Sequence, residues 1–214
     1  TVANVNDAPQ HSISINGQTI EGSTLSVDLS SLTDQDGIPL SGQNAPSIQW
    51  LRNNSPISGA TSPSYTLAQQ DVDSQISVNI SYTDNYGTQE LISLATQSNV
   101  QNIDNPATAQ LSISGTPQEG NTLTASILNL TDTDGSPSPS YQWQQLVNNS
   151  WADIQGANSQ SFSIPDDQSL VGSSLRLHLT STDSFGGQTS FFSDPLTVAN
   201  VNDAPQHSIS INGQ

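Results

Sequence analysis

The chain has 214 residues with no Cys, no Met and no Lys; Arg52 and Arg176 face 19 carboxylates, for a formal charge of −17. That balance makes nucleic acid and anionic membranes poor partners, and the absence of Cys excludes disulfides and zinc–thiolate sites. No stretch approaches the ~18 apolar residues of a bilayer span, so no membrane insertion is expected.

Only 10% of the residues are charged, and apolar residues alternate regularly, so the chain reads as folded rather than as an acidic disordered tail. Residues 1–18, TVANVNDAPQHSISINGQ, return letter for letter as 197–214. Half of that offset is also a period: Ile15, Gly22, Leu25, Leu32, Asp34, Asp36 and Gly37 recur as Ile113, Gly120, Leu123, Leu130, Asp132, Asp134 and Gly135 (113 − 15 = 98). A module of that length can bury its own core, which argues for beads on a string rather than a solenoid. Residues 1–9 then finish a preceding repeat and linker, 10–104 form the first repeat, and 105–107 are a linker. Residues 108–202 form the second repeat, and 203–214 are a linker and the start of a further one. The linker motifs are NVNDAP (4–9 and 200–205) and NIDNP (102–106).

In chain order, Leu25, Val27 and Leu29 alternate with polar residues and predict a half-buried strand; SIQWLR (47–52), SYTL (64–67) and Ile76, Val78, Ile80 and Tyr82 predict further strands. The second repeat answers with Leu123, Ala125 and Ile127, then SYQWQQL (140–146), SFSI (161–164) and Leu175, Leu177 and Leu179. Gly, Pro, Asn and Asp punctuate these runs at short intervals, and no segment carries a helical apolar period. The expectation is all-β: two tandem immunoglobulin-like, Greek-key β-sandwiches, end to end, with about seven strands each. Trp50 and Trp143 on the third strand read as core. Trp151 lacks a counterpart and is the candidate for a ligand contact. His11, His178 and His207 read as solvent-facing strand residues.

The carboxylates are placed unevenly along this strand order. Asp34 and Asp36 (TDQDG) and Asp132 and Asp134 (TDTDG) follow the second strand, while Asp84 (TDNYG) and Asp183 (TDSFG) lie in the hairpin before the last strand. Both loops should emerge at the pole where the chain enters. The opposite pole should carry Glu21 or Glu119, with Asp71 and Asp73 or Asp166 and Asp167. In series, one junction would then gather Glu21, Asp71, Asp73, Asn102, Asp104, Asn105, Asp132, Asp134 and Asp183. Asp-x-Asp-Gly is also an ordinary turn, but its recurrence beside a hairpin Asp and an acid-amide linker points to a cation. Many hard oxygen ligands suit Ca²⁺ better than Mg²⁺. No EF-hand is present, because the twelfth position counted from Asp34 is Ala45.

With VNDAP linkers, a DxDG loop and an Asp in the late hairpin, the chain resembles cadherin-type repeats. It is still more similar to the immunoglobulin-like repeats of giant bacterial RTX-type adhesins, whose QW, SYTL and YTD patterns recur in this order. That resemblance implies calcium ligands at Asp34, Asp36 and Asp84, at Asp132, Asp134 and Asp183, and at the linker positions Asp7, Asp104 and Asp203. It implies calcium-rigidified extender repeats outside a Gram-negative cell, serving adhesion or biofilm formation, with neighbouring repeats of the same chain as partners and a monomeric fragment. The alternative is that the repeats themselves bind glycan, ice or a host receptor. No Gly-x-Ser-x-Gly or comparable catalytic motif occurs, so an enzyme is not expected.

Overall fold

The computed structural model describes residues 3–202 and 204 of the chain; Asp203 and His207 lie outside them. The chain divides into two compact units between Ile103 and Asp104, so Asp104, read above as the end of the first repeat, belongs with the second unit.

In the first unit, β1 (Thr24–Ser26) pairs with β4 (Ser64–Thr66), and β3 (Ser55–Pro56), β2 (Ser47–Arg52), β5 (Ile76–Thr83) and β6 (Gln89–Ala95) form a four-stranded antiparallel sheet in that order. The segment before β1 is fastened by the single bridges Gln10–Thr33 and Asn16–Ser26 rather than by a continuous strand. In the second unit that segment is a full strand. There β7 (Thr108–Ser114), β8 (Thr122–Thr131) and β11 (Ser161–Ser163) form one sheet. The other consists of β10 (Ser150–Asp153), β9 (Ser138–Val147), β12 (Ser174–Thr182) and β13 (Gln188–Phe192), with β14 (Leu196–Thr197) also on β12. Each unit is an immunoglobulin-like β-sandwich whose strand pairs are antiparallel, with isolated parallel bridges at Ile20–Gln101, Val72–Val100 and Gln118–Ala199. The strand after the β2–β3 or β9–β10 hairpin, β4 or β11, crosses back to pair with β1 or β8.

Alternation decides what fills the sandwich. Leu25, Trp50, Ile76, Val78 and Ile80 are fully buried in the first core, and Leu123, Trp143, Leu175 and Leu177 in the second. Trp50 and Trp143 are core, as their strand positions predict. Each ring stacks on Tyr65 or Phe162, and its indole N–H donates to the carbonyl of Ser62 (2.9 Å) or Ser159 (3.0 Å), so burial leaves no polar atom unmet. The β2–β3 and β9–β10 hairpins turn on Asn53–Asn54 and Asn148–Asn149, all at positive φ (46° to 66°). Asn tolerates that conformation best after Gly, and two such residues in succession make the type I′ turn that matches strand twist.

One expected cation ligand proves structural. Asp71, at the end of a short 3-10 turn (Gln69–Asp71), is wholly inaccessible to solvent. Its carboxylate accepts from Arg52 Nε (2.7 Å), the Tyr65 hydroxyl (2.8 Å) and the Ala68 amide (2.8 Å). Three donors leave it no route to an ion, and the second unit, with Gln145 and Phe162 at the corresponding strand positions, lacks the network. Removing Asp71 leaves the Tyr65 hydroxyl and the Ala68 amide without their acceptor and the partly exposed Arg52 without its counter-charge. Asp71→Ala is expected to destabilise the first unit by about 1–3 kcal/mol, read as an earlier urea transition in Trp fluorescence, with a second transition retained.

Candidate metal centre

The TDxDG segments are loops for local reasons. Asp34 and Asp132 open Asx turns, their Oδ1 atoms accepting the amides of Asp36 (2.8 Å) and Asp134 (2.9 Å). The turns continue through Gly37 (φ 84°) and Gly135 (φ 119°), conformations that a side chain disfavours. This folds Asp36 and Asp134 inward, to 5% and 0% exposure. Each buried carboxylate then captures the chain segment entering its own unit. Asp7 N–H donates to Asp36 Oδ2 (2.8 Å), and Asn105 N–H donates to Asp134 Oδ2 (2.6 Å).

The late hairpins supply the second wall. Asp84 Oδ1 accepts from the amides of Tyr86 and Thr88 (2.8 Å each), and Asp183 Oδ1 accepts from Phe185 (2.6 Å) and Gly187 (3.0 Å). Burial opposes the Asp84 charge, but the amides of Thr88, Tyr86 and Gly87 outweigh it and hold the carboxyl below its ordinary range. Its second oxygen, Oδ2, is buried and has no hydrogen-bond partner among the described residues. An ionised oxygen left so calls for a ligand of opposite charge.

In the second unit, Asp104, Asp134 and Asp183 converge, each offering an oxygen within 4.8 Å of the others. Loss of solvent, contact with the Asp183 carboxylate and the charges of Asp183, Asp134 and Asp132 together push the Asp104 carboxyl above its ordinary range. Two carboxylates in contact need a shared proton or a cation between them. Three converging carboxylates, with Asp132 and Asn105 alongside, form an all-oxygen donor set that fits Ca²⁺. Asp104, Asp134 and Asp183 would hold such an ion, which would supply the positive charge this chain lacks.

At the pole where each unit's chain leaves, the expected acids do not form a comparable group among the described residues. Glu21 Oε2 accepts the Ile103 amide (3.3 Å), and Asn102 Oδ1 accepts from Gln69 (3.2 Å). Glu119 is buried and accepts from Gln168 Nε2 (2.8 Å) and from the Val201 amide. These glutamates hold the outgoing backbone. Asp73 is exposed at φ 60°, and its counterpart is Gly172 at φ 75°, so a left-handed turn accounts for the residue. Asp166 and Asp167 are exposed, and Asp167 receives the Ser169 hydroxyl and amide, which hold its carboxyl below the usual range.

Trp151 is half-buried, and the Arg176 guanidinium lies 4.3 Å from its ring centre and 4.2 Å from that of Phe192. Its face therefore has an internal partner. His178 is not simply solvent-facing: it is half-buried and stacks on Phe192 at 4.6 Å.

Sequence reasoning missed Gly187. A Cβ at this position would overlap Asp104 Oδ1 and Asp183 Oδ2. The signal was present in the hairpins TDNYGTQ and TDSFGGQ, where Thr88 is replaced by Gly187. If the three carboxylates repel without a cation, Asp104→Asn is expected to raise the chelator-treated melting temperature of the second unit. The same variant should lose most of the rise that calcium gives the wild-type chain, as calorimetry of both proteins in both buffers would reveal.

No family model matches the chain, and no curated protein sequence does either. Solved structures align with the chain at low similarity. Three N-terminal domains of the highly immunogenic outer capsid protein of bacteriophage RB49 align over 89% of this chain and 59% of that one, at 11% identity and a TM-score of 0.30. Consecutive domains of titin align over 85% and 61%, at 12% identity and a TM-score of 0.36. A Ca²⁺-stabilised adhesin that helps an Antarctic bacterium reach out and bind ice aligns over 94% and 51%, at 10% identity and a TM-score of 0.33. The chain spans less than two thirds of the length of each. Among the described residues, no helix is long and apolar enough to cross a membrane.

Proposed function

We propose that the two repeats are calcium-rigidified extender modules of a large bacterial cell-surface adhesin, acting as spacers that project an adhesive end from a Gram-negative cell during adhesion or biofilm formation. The supporting observation is the meeting of Asp104, on the segment that enters the second unit, with Asp134 and Asp183 on that unit's loops. A cation there would tie the entering segment to the sandwich by charge as well as by the Asn105 amide.

Such a tie acts on the linker because Glu21 holds the preceding residue, Ile103, to the first unit. With both flanks fastened, few backbone torsions remain free, and a linker with few free torsions is a stiff one. Without the cation, the carboxylates repel and the entering segment is held less firmly. Calcium bound only by the assembled site also stabilises the fold by mass action. Extracellular calcium is in the range that modest-affinity carboxylate sites use.

The alternative, in which the repeats themselves bind glycan, ice or a host receptor, gains no support from Trp151, whose face Arg176 covers. Small-angle scattering of the 214-residue chain is expected to give a larger maximum dimension and less flexibility in calcium than in chelator. An unchanged profile would remove the rigidifying role. Glycan-array binding lost on Trp151→Ala would instead favour the alternative.

A further inference from the structure

The two units differ where the chain enters them, and the differences are matched. Both present a buried acid to the entering backbone, Asp36 to the amide of residue 7 and Asp134 to that of residue 105. Position 6 in the first unit therefore corresponds to position 104 in the second. The linker reads Asn6–Asp7 in one and Asp104–Asn105 in the other, so the acid and the amide have changed places.

That exchange moves a carboxylate. Asp104 meets Asp183 and Asp134, whereas Asn6 turns its amide to Glu90 Oε1 (2.9 Å), and Asp7 is exposed. The hairpin has changed to suit. Gly187 gives Asp104 the space it occupies, and in the first unit the same position is Thr88. The strand below has changed as well. Tyr82 donates its hydroxyl to Asp34 Oδ2 at 2.5 Å, and burial followed by that bond holds the phenol well above its ordinary range. Its counterpart in the second unit is Ser181, whose buried hydroxyl has no hydrogen-bond partner among the described residues, so Asp132 is not engaged in this way.

A cation ligand is called for in the first unit too, because Asp84 is 3% exposed and its Oδ2 has no partner among the described residues. The corresponding oxygen of Asp183 is the one that faces Asp104. The first unit therefore offers the same aimed oxygen with fewer carboxylates around it.

Resting on the calcium role proposed above, we infer that the two repeats carry unlike calcium sites: a tight one built on Asp104, Asp134 and Asp183, and a weaker one built on Asp36 and Asp84. Affinity in carboxylate sites follows the number of charged ligands, and one direct carboxylate is expected to separate the two by about tenfold or more. Because 200–205 repeats NVNDAP, a following repeat with that linker would bear the weaker kind. An array of such pairs would stiffen in two steps as calcium rises.

Chelator-competition titration of the 214-residue chain with calcium tests this. Two classes of site are expected. Asp183→Asn should remove the tight class and leave the weak one, and Asp84→Asn should do the reverse; Asn keeps the Oδ1 that holds each hairpin. Asp104→Asn with Gly187→Thr should convert the tight class to weak, while Asn6→Asp with Thr88→Gly should tighten the weak class. Melting curves in chelator check that each variant folds. Two sites of equal affinity, or exchanges that leave both affinities unchanged, would overturn the inequality while leaving calcium binding intact. A wild-type chain that binds no calcium would overturn the proposed function and this inference together.

Discussion

The constraint on which both units depend is the capture of an entering backbone amide by a buried carboxylate. Asp36 and Asp134 lie almost or wholly out of contact with water, in a chain with two cations, one of which, Arg52, is committed to Asp71. Backbone amides do the work that lysines do elsewhere. An amide donating to an ionised oxygen makes a bond of about 1.5–3 kcal/mol, and the Asx turn and hairpin amides repeat it around each loop. The charges of these loops are met largely by their own backbone. What the backbone does not satisfy, Asp84 Oδ2 and the Asp104–Asp183 contact, marks where a cation could be held.

The sandwich was legible because its determinants are local. Period-two alternation placed Leu25, Ile76, Val78, Leu175 and Leu177 inside, and one Trp per repeat on the third strand identified the centre of each core. The upper loops were legible for a similar reason, since Asp-x-Asp-Gly specifies its own turn. Asp71 was misread because its partners, Arg52 and Tyr65, are brought to it by strand packing, which no short motif encodes. The absence of equivalents in the second repeat was the available sign, for a residue needed at every junction should recur. Asp73 failed the same test, as Gly172 stands in its place.

Most informative were the positions where the repeats disagree. A 98-residue period (113 − 15) invites attention to what is shared, and shared residues here are chiefly core and turn. Asn6 against Asp104, Thr88 against Gly187 and Tyr82 against Ser181 are each unremarkable alone. Together they surround one spot, and every change in the second repeat adds negative charge or space there, or withdraws a donor from it. Drift would scatter such changes over the surface.

A correlated set of this kind carries an energetic consequence. Gathering a third carboxylate opposes folding in the absence of a cation, and burying Ser181 without a partner adds to that opposition. A sequence that retains both costs in one repeat and neither in the other has placed the demand for a counter-ion unevenly along the chain. On the proposed calcium role, the second unit's loops would be least secure when the cation is scarce and would gain most when it is plentiful.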